Sequence, residues 1–267
     1  MISNFHTHTN MCDGDNTAEE MVLSAIDKGF SALGFSGHGY TDFDLSYCMK
    51  DMPKYIAEIK RLKEKYKNKI EIYLGVEEDI RCPQNRDDFE YIISSSHYTF
   101  VNGKNMAIDS SFDGFKDCLE AWNGDVLEMA KEYFESFCDY ILKRKPDIIG
   151  HFDLLTKYDQ TGETPFFSGN AEYEKTAKKY IGIAARSGCL IEVNTGAISR
   201  GYRKDPYPSE MLLKEILKND GRIILSSDSP SVDSLDCEFD NTRKMLKKIG
   251  FKELYTLSQG RFIKDPL

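Results

Sequence analysis

The sequence is short of basic charge. Against 44 acidic residues stand 35 lysines and arginines, and the 267-residue chain carries a net charge of −9. Without a basic excess to neutralise a phosphate backbone, no nucleic-acid partner is expected. A small phosphorylated molecule is not excluded, because metal ions and one or two arginines can meet its charge. Long apolar runs are missing too. Nothing approaches the roughly 20 residues that cross a bilayer, so no membrane partner is expected. The cysteines, at 12, 48, 82, 118, 138, 189 and 237, are odd in number and include no CxxC pair. The opening MISNFHTH is motif rather than a basic-then-apolar leader, and a reducing cytoplasm is the expected setting. Linker-like segments and internal repeats are absent, so residues 1–267 are expected to form one domain with a substantial core. Oligomeric state is not encoded in any feature of the sequence.

What is present is an alternation. β-rich apolar pieces at Ile2–His8, Ala32–Ser36, Ile70–Val76, Tyr91–Ser95, Asp147–Gly150, Cys189–Val193 and Arg222–Ser226 are separated by helical patterns. One helix opens on Thr17 with Glu20 three residues later, the spacing of a capping box. Two others stop at Gly188 and Gly221. Strand and helix in alternation predict parallel pairing with crossovers, hence an α/β protein, either a closed barrel or an open sheet. No glycine-rich nucleotide loop follows the first strand, which removes a dinucleotide-binding reading. The stretch SHYTFVNGKNMAIDSSFDGFKDCLEAWNG is too long for an idle connection and is expected to be a functional loop or lid.

Histidine is scarce, five in the chain, and every one lies at a strand end or in the turn after it. His6 and His8 close the first strand, His38 follows ALGFSG, His97 follows YIISSS and His151 follows PDIIG. Glu77 follows IEIYLGV, Glu192 and Asn194 end CLIEVN, and Asp228 ends RIILSS. In an α/β barrel the chemistry gathers at the carboxyl ends of the strands. Alternate strand residues point to one side, so His6 and His8 can reach one ion. Imidazoles mixed with carboxylates suit zinc, iron or manganese. The donors outnumber what one four-coordinate ion can use, which predicts at least two ions with a bridging carboxylate. Cys12 has no second cysteine placed to complete a thiolate site and reads as packing.

The motifs HTHTNMCDG, GFSGH, GVEEDI, SSHY, GHFDL, EVNTG and SSD, in this order over residues 6–228, resemble the PHP (polymerase and histidinol phosphatase) superfamily. Within it the chain is most similar to the stand-alone histidinol-phosphate phosphatases. The resemblance implies a distorted seven-stranded β/α barrel, TIM-like, with a metal centre at the strand carboxyl ends. By matching motifs, His6, His8, Glu77 and Asp228 would hold a first ion, and Glu77 would bridge to a second on His97 and His151. Asp13 and His38 would contribute to a third. Glu78 would point to the opposite face. One departure stands out: the family histidine two residues after the final aspartate is Pro230 here, which offers no donor. Two to three ions are therefore expected, the third weakly held or absent unless Asp15, Asp233 or water fills in.

The implied activity is hydrolysis of a phosphate monoester, L-histidinol phosphate to L-histidinol and phosphate in histidine biosynthesis. A hydroxide bridging two ions would attack in line, with Glu77, Asp228 and His97 as the residues on which turnover depends. No Ser-His-Asp or aspartyl-phosphate signature is present, in keeping with that route. Arg200 and Arg203 are candidates to clamp the phosphate. Asp153 and Glu192 are candidates to receive the amino group of the substrate or, equally, to orient a liganding histidine, and Asn194 is a further candidate substrate contact. Two alternatives stay open: a phosphoesterase for a nucleotide or another small phosphate, and a metal-binding domain with impaired catalysis. A metal-dependent amidohydrolase would want a lysine at a strand end, and none is predicted there.

Overall fold

Local signals set the element boundaries. In the computed structural model, which describes residues 1–162 and 165–267, the first half runs β1 (Ser3–Asn4), α1 (Ala18–Asp27), β2 (Ala32–Phe35), α2 (Met52–Tyr66), β3 (Glu71–Asp79), β4 (Tyr91–Ser95), β5 (Tyr98–Val101), β6 (Lys104–Ala107), α3 (Phe112–Ala121) and α4 (Val126–Arg144). The second half runs β7 (Ile148–Ile149), α5 (Ala171–Ala185), β8 (Leu190–Asn194), α6 (Gly196–Ser199), α7 (Glu210–Lys218), β9 (Arg222–Ser226), α8 (Phe239–Ile249), β10 (Glu253–Ser258) and β11 (Arg261–Pro266). The capping box forms as its spacing predicts: the Thr17 hydroxyl accepts from the Glu20 amide at 3.3 Å, and the Glu20 carboxylate accepts from the Thr17 amide at 2.8 Å. Asp51, Asp125 and Asn170 cap α2, α4 and α5 through their side chains. In α2 the buried residues Tyr55, Ile59, Leu62 and Tyr66 recur at helical spacing, which seats one face on the sheet.

The sheet order is β1-β2-β3-β4-β7-β8-β9-β10-β11. All neighbours pair in parallel except the last two, which form an antiparallel hairpin. The sheet curls until Thr7, beyond β1, bridges Ser229, beyond β9. The expected count of seven strands is corrected to nine. The extra two are the C-terminal hairpin, whose β10 joins β9 through the Tyr255–Ile224 pair. The first strand is shorter than the expected Ile2–His8, because past Asn4 its backbone partners are turn residues: the His8 amide donates to the Ser229 carbonyl at 2.9 Å. The long segment after His97 is not an idle or irregular loop. It carries the β5–β6 hairpin and the capped helix α3.

Period-two alternation separates the two faces of the sheet. Ile72 and Leu74 cluster with α1 and α2, while Ile149, Ile191 and Ile223 cluster with α3, α4, α5, α7 and α8. Their neighbours Tyr73, Ile148, Leu190 and Ile224 form a third cluster with no helical residue in it, which fills the inside of the curl. Tyr91 is fully buried there, with its hydroxyl donating to the Phe5 carbonyl at 2.7 Å. Gly34 and Gly75 make room for it: a Cβ at either position would collide with the Tyr91 ring or hydroxyl. Among the described residues, no helix is long and apolar enough to cross a membrane.

Candidate metal centre

The same alternation carries the inner face up to the site. Ala32, Gly34, Ser36 and His38 lie in one register; so do Tyr73, Gly75, Glu77 and Asp79. Tyr91, Ile93, Ser95 and His97 follow suit, as do Leu190, Glu192 and Asn194, and Ile224, Ser226 and Asp228. Five strands thus deliver polar ends to the space above the Tyr91 layer. Asp228 stands just past β9 with a left-handed backbone, φ 47°. Short polar side chains tolerate that conformation better than most, and Arg200 braces the residue by donating to its backbone carbonyl at 2.8 Å.

Four donor atoms converge first. Nε2 of His6 lies 3.2 Å from Oε2 of Glu77 and 3.7 Å from Oδ1 of Asp228. Nε2 of His8 lies 3.1 Å from Oδ1 of Asp228 and 3.7 Å from Oε2 of Glu77. These spacings bracket what a tetrahedral ion imposes, since bonds of about 2.0–2.1 Å put neighbouring donors about 3.3–3.4 Å apart. Among the described residues, His6 Nε2, His8 Nε2 and Glu77 Oε2 are also buried without a well-aligned hydrogen bond despite these close neighbours, a costly arrangement unless a cation completes it. The residues fit a divalent ion.

Glu77 faces two ways. Its Oε2 meets Nδ1 of His38 at 2.9 Å, while its Oε1 meets Nε2 of His151 at 3.0 Å and Nε2 of His97 at 3.5 Å. A carboxylate with imidazoles on both oxygens has the disposition of a bridge. Beyond this layer, carboxylates hold the far sides of the rings. Glu192 Oε1 lies 2.6 Å from Nδ1 of His6, and Asp79 Oδ2 lies 3.1 Å from Nδ1 of His97. Asp13 lies 3.1 Å from Nδ1 of His8 and 3.5 Å from Nε2 of His38. Such partners fix which ring nitrogen carries the proton.

The cluster is electrostatically strained towards binding cations. Burial disfavours charge on His6, but Glu192, Glu77 and Asp228 outweigh it and push its pKa up to about 10. Burial likewise opposes charge on His38, yet Asp13 and Glu77 raise it to about 9. His8 and His97 also rise against burial, through Asp13 and Glu77 respectively. Burial would raise Glu77 and Asp228, but His6 and His38 pull Glu77 down, and Arg200 and His6 pull Asp228 down. The carboxylates stay ionised and call for positive charge, as protons or as metal.

A cavity of about 320 Å³ opens above these groups, lined in part by His38, Glu77, His97, His151, Asp228 and Arg200. A larger cleft, about 520 Å³, runs past Met1, Asp236, Arg243 and Thr256 and contains no imidazole. Eight of the sequence-predicted residues (His6, His8, Asp13, His38, Glu77, His97, His151 and Asp228) are therefore brought together. Arg200 joins them, its guanidinium 3.2 Å from Oδ1 of Asp228.

Three expected substrate contacts are corrected. Glu192 is fully buried and spends its oxygens on His6, Ser226, the His151 amide and Asn194. Asn194 is fully buried too, holding the Gly196 amide through its oxygen at 2.8 Å. Arg203 turns away into the wall, bonded to Thr156 and Asp205 with its guanidinium over the Tyr207 ring. Asp153 is fully buried and accepts from the Ser209 amide at 3.0 Å. Glu78 points outward as expected, fastened by Arg144, Tyr140 and Ser94. Asp79 escaped the sequence reading, although its place two residues after Glu77 in GVEEDI puts it on the same strand face. Cys12 packs against the α1–α2 cluster as expected, and its sulfur also lies 3.7 Å from Nδ1 of His8.

Known proteins resemble the chain in sequence and in fold. The histidinol-phosphatase of Lactococcus lactis is 25% identical over 271 residues, spanning 98% of this chain and 95% of that protein. The histidinol-phosphatase of Bacillus subtilis is 21% identical over 250 residues, spanning 84% and 91%. Among solved structures, histidinol phosphate phosphatase from Lactococcus lactis, complexed with zinc, L-histidinol and phosphate, superposes with a TM-score of 0.73. It covers 98% of both chains at 21% identity, which establishes the fold. The family model described as PHP domain matches residues 4–196. On that match, which takes in most of the length, the chain belongs to the PHP domain family.

Proposed function

We propose that the chain is a metal-dependent phosphomonoesterase acting on L-histidinol phosphate. The observation that carries this reading is the double-sided Glu77 carboxylate, set among five imidazoles on the floor of a cavity that also presents Arg200. Relatives named histidinol-phosphatase, aligned over most of their length, supply the substrate. Residues 1–267 act as one domain built on the curled sheet.

His6, His8, Glu77 and Asp228 would hold one divalent ion, and Glu77, His97 and His151 a second, as zinc, iron or manganese. When bound, such ions supply positive charge to the phosphoryl oxygens and acidify water so that it can attack at neutral pH. Arg200 donates from Nη1 and Nη2 to Asp228, which keeps the guanidinium in place at the cavity wall, where its positive charge faces the phosphoryl group. The buried Tyr91 layer keeps bulk water from the underside of the site. Water adds to phosphorus, the bond from phosphorus to the alcohol oxygen breaks, and the alcohol takes up a proton.

The third position fits less well. A neutral imidazole has one lone pair, and that of His8 is committed through Nε2, so its Nδ1–H donates to Asp13. Asp13 and His38 remain, and Pro230 adds no side-chain donor. Two firmly held ions are expected. The test is metal analysis of purified protein together with phosphate release from L-histidinol phosphate. Firmly bound metal without hydrolysis of any phosphomonoester would overturn the enzymatic reading.

A further inference from the structure

Beyond its floor, the cavity presents two more carboxylates, Asp44 and Asp109. They are differently engaged. Asp44 is satisfied locally: Oδ1 accepts from the Ser46 amide at 3.0 Å and its hydroxyl at 2.6 Å, and Oδ2 accepts from the Tyr98 hydroxyl at 3.0 Å. Asp109 has a pinned backbone and an idle side chain. The adjacent Ile108 amide donates to the His97 carbonyl at 3.0 Å. The Asp109 carbonyl accepts from Lys157 Nζ at 2.7 Å and from the Tyr158 hydroxyl at 3.1 Å. Among the described residues, no donor hydrogen-bonds its carboxylate. Lys157 Nζ comes only to 3.7 Å, and is otherwise spent on the Asp109 carbonyl and the face of the Tyr202 ring.

A carboxylate with a pinned backbone, paired only loosely with Lys157 and accepting no hydrogen bond among the described residues, is an odd fitting in a cavity built to receive a phosphate dianion. It repels every phosphomonoester that brings only negative charge, and such repulsion is a means of selecting partners. It turns favourable only if the alcohol half of the substrate brings a cation. We infer that Asp109 is the specificity-determining residue, accepting an ammonium N–H of the substrate and so restricting the enzyme to phosphomonoesters of amino alcohols. The inference rests on the phosphomonoesterase reading and adds the group that selects within that class. It also gives a physical reason for rejecting nucleotides and sugar phosphates, which lack an ammonium. The ordered hairpin and helix after His97 thereby acquire a purpose: they hold this carboxylate beside the imidazoles.

The test compares kcat/KM for L-histidinol phosphate and for n-propyl phosphate, whose alcohol is uncharged, in metal-loaded wild type, Asp109→Asn and Asp109→Glu. A charge-assisted hydrogen bond is worth enough to change the ratio of the two by about ten- to a hundredfold. That ratio is expected to fall by this factor in Asp109→Asn, through a higher KM for the cationic ester, and to recover in part in Asp109→Glu. A ratio within twofold of wild type, or equal losses on both esters, overturns the inference. Should the wild type hydrolyse neither ester, the phosphatase reading itself fails. Calorimetric binding of L-histidinol then still decides Asp109, with at least tenfold weaker binding to Asp109→Asn supporting the inference and equal binding overturning it.

Discussion

The carboxylate of Glu192 lies 2.6 Å from Nδ1 of His6, while Nε2 of the same ring faces Glu77 at 3.2 Å. One imidazole is thus gripped on its far side so that its near side can serve a cation. Glu192 also accepts from the His151 amide at 2.9 Å, so a single buried carboxylate sets two of the five histidines. Glu192→Gln keeps the shape and removes the charge. Loss of such a partner weakens metal binding by about 10- to 100-fold. Competition with a calibrated chelator measures it, and unchanged affinity would remove Glu192 from this role.

Metal uptake should release protons. With pKa values of about 10 and about 9, His6 and His38 are protonated in metal-free protein at neutral pH. An incoming ion must displace those protons. Apparent affinity therefore rises as pH rises towards about 9 and levels off above about 10. An indicator dye in weak buffer reads the released protons directly. Binding without proton release at pH 7 would contradict the electrostatics described.

Among the described residues, Arg200 is the one arginine that both lines the cavity and contacts Asp228. Arg200→Lys keeps the charge and loses the planar two-donor fork, so it is not a conservative change. The expected effect is a loss of about tenfold or more in kcat/KM for phosphomonoesters. Metal content should be retained. Arg203→Lys, whose guanidinium is buried in the wall, is expected to lower thermal stability instead of acting selectively on KM.

Much of the fold was legible because hydrophobic periodicity is a local property. The seven apolar runs all became strands, and the Thr17 capping box formed as spaced. The C-terminal hairpin was missed because β11, RFIKDP, is mostly exposed and lacks an apolar face. The site was legible as a set of strand-end residues, since alternation alone brings Glu77, His97 and Asp228 to one side. Its outer layer was not. Whether Glu192 reaches a substrate or a histidine depends on a ring delivered from a strand 186 residues away. Likewise nothing in IDSSF distinguishes Asp109 from any loop aspartate until Lys157 and Tyr158 are seen to pin its backbone.

Gly75→Ala tests the layer beneath the site. The new methyl would intrude on the Tyr91 ring, fully buried inside the curl. Overpacking of this kind costs about 1–3 kcal/mol, measurable by urea denaturation of the metal-loaded protein. An unchanged midpoint would show that the Tyr91 ring can yield.

The most direct measurement is metal content and turnover on the same samples of wild type and Glu77→Ala. The account predicts two tightly held divalent ions per wild-type chain and release of phosphate from L-histidinol phosphate. In Glu77→Ala both the ions and the turnover should be lost together. Glu77→Ala protein that keeps its metal and hydrolyses at the wild-type rate would contradict the centre built around that carboxylate.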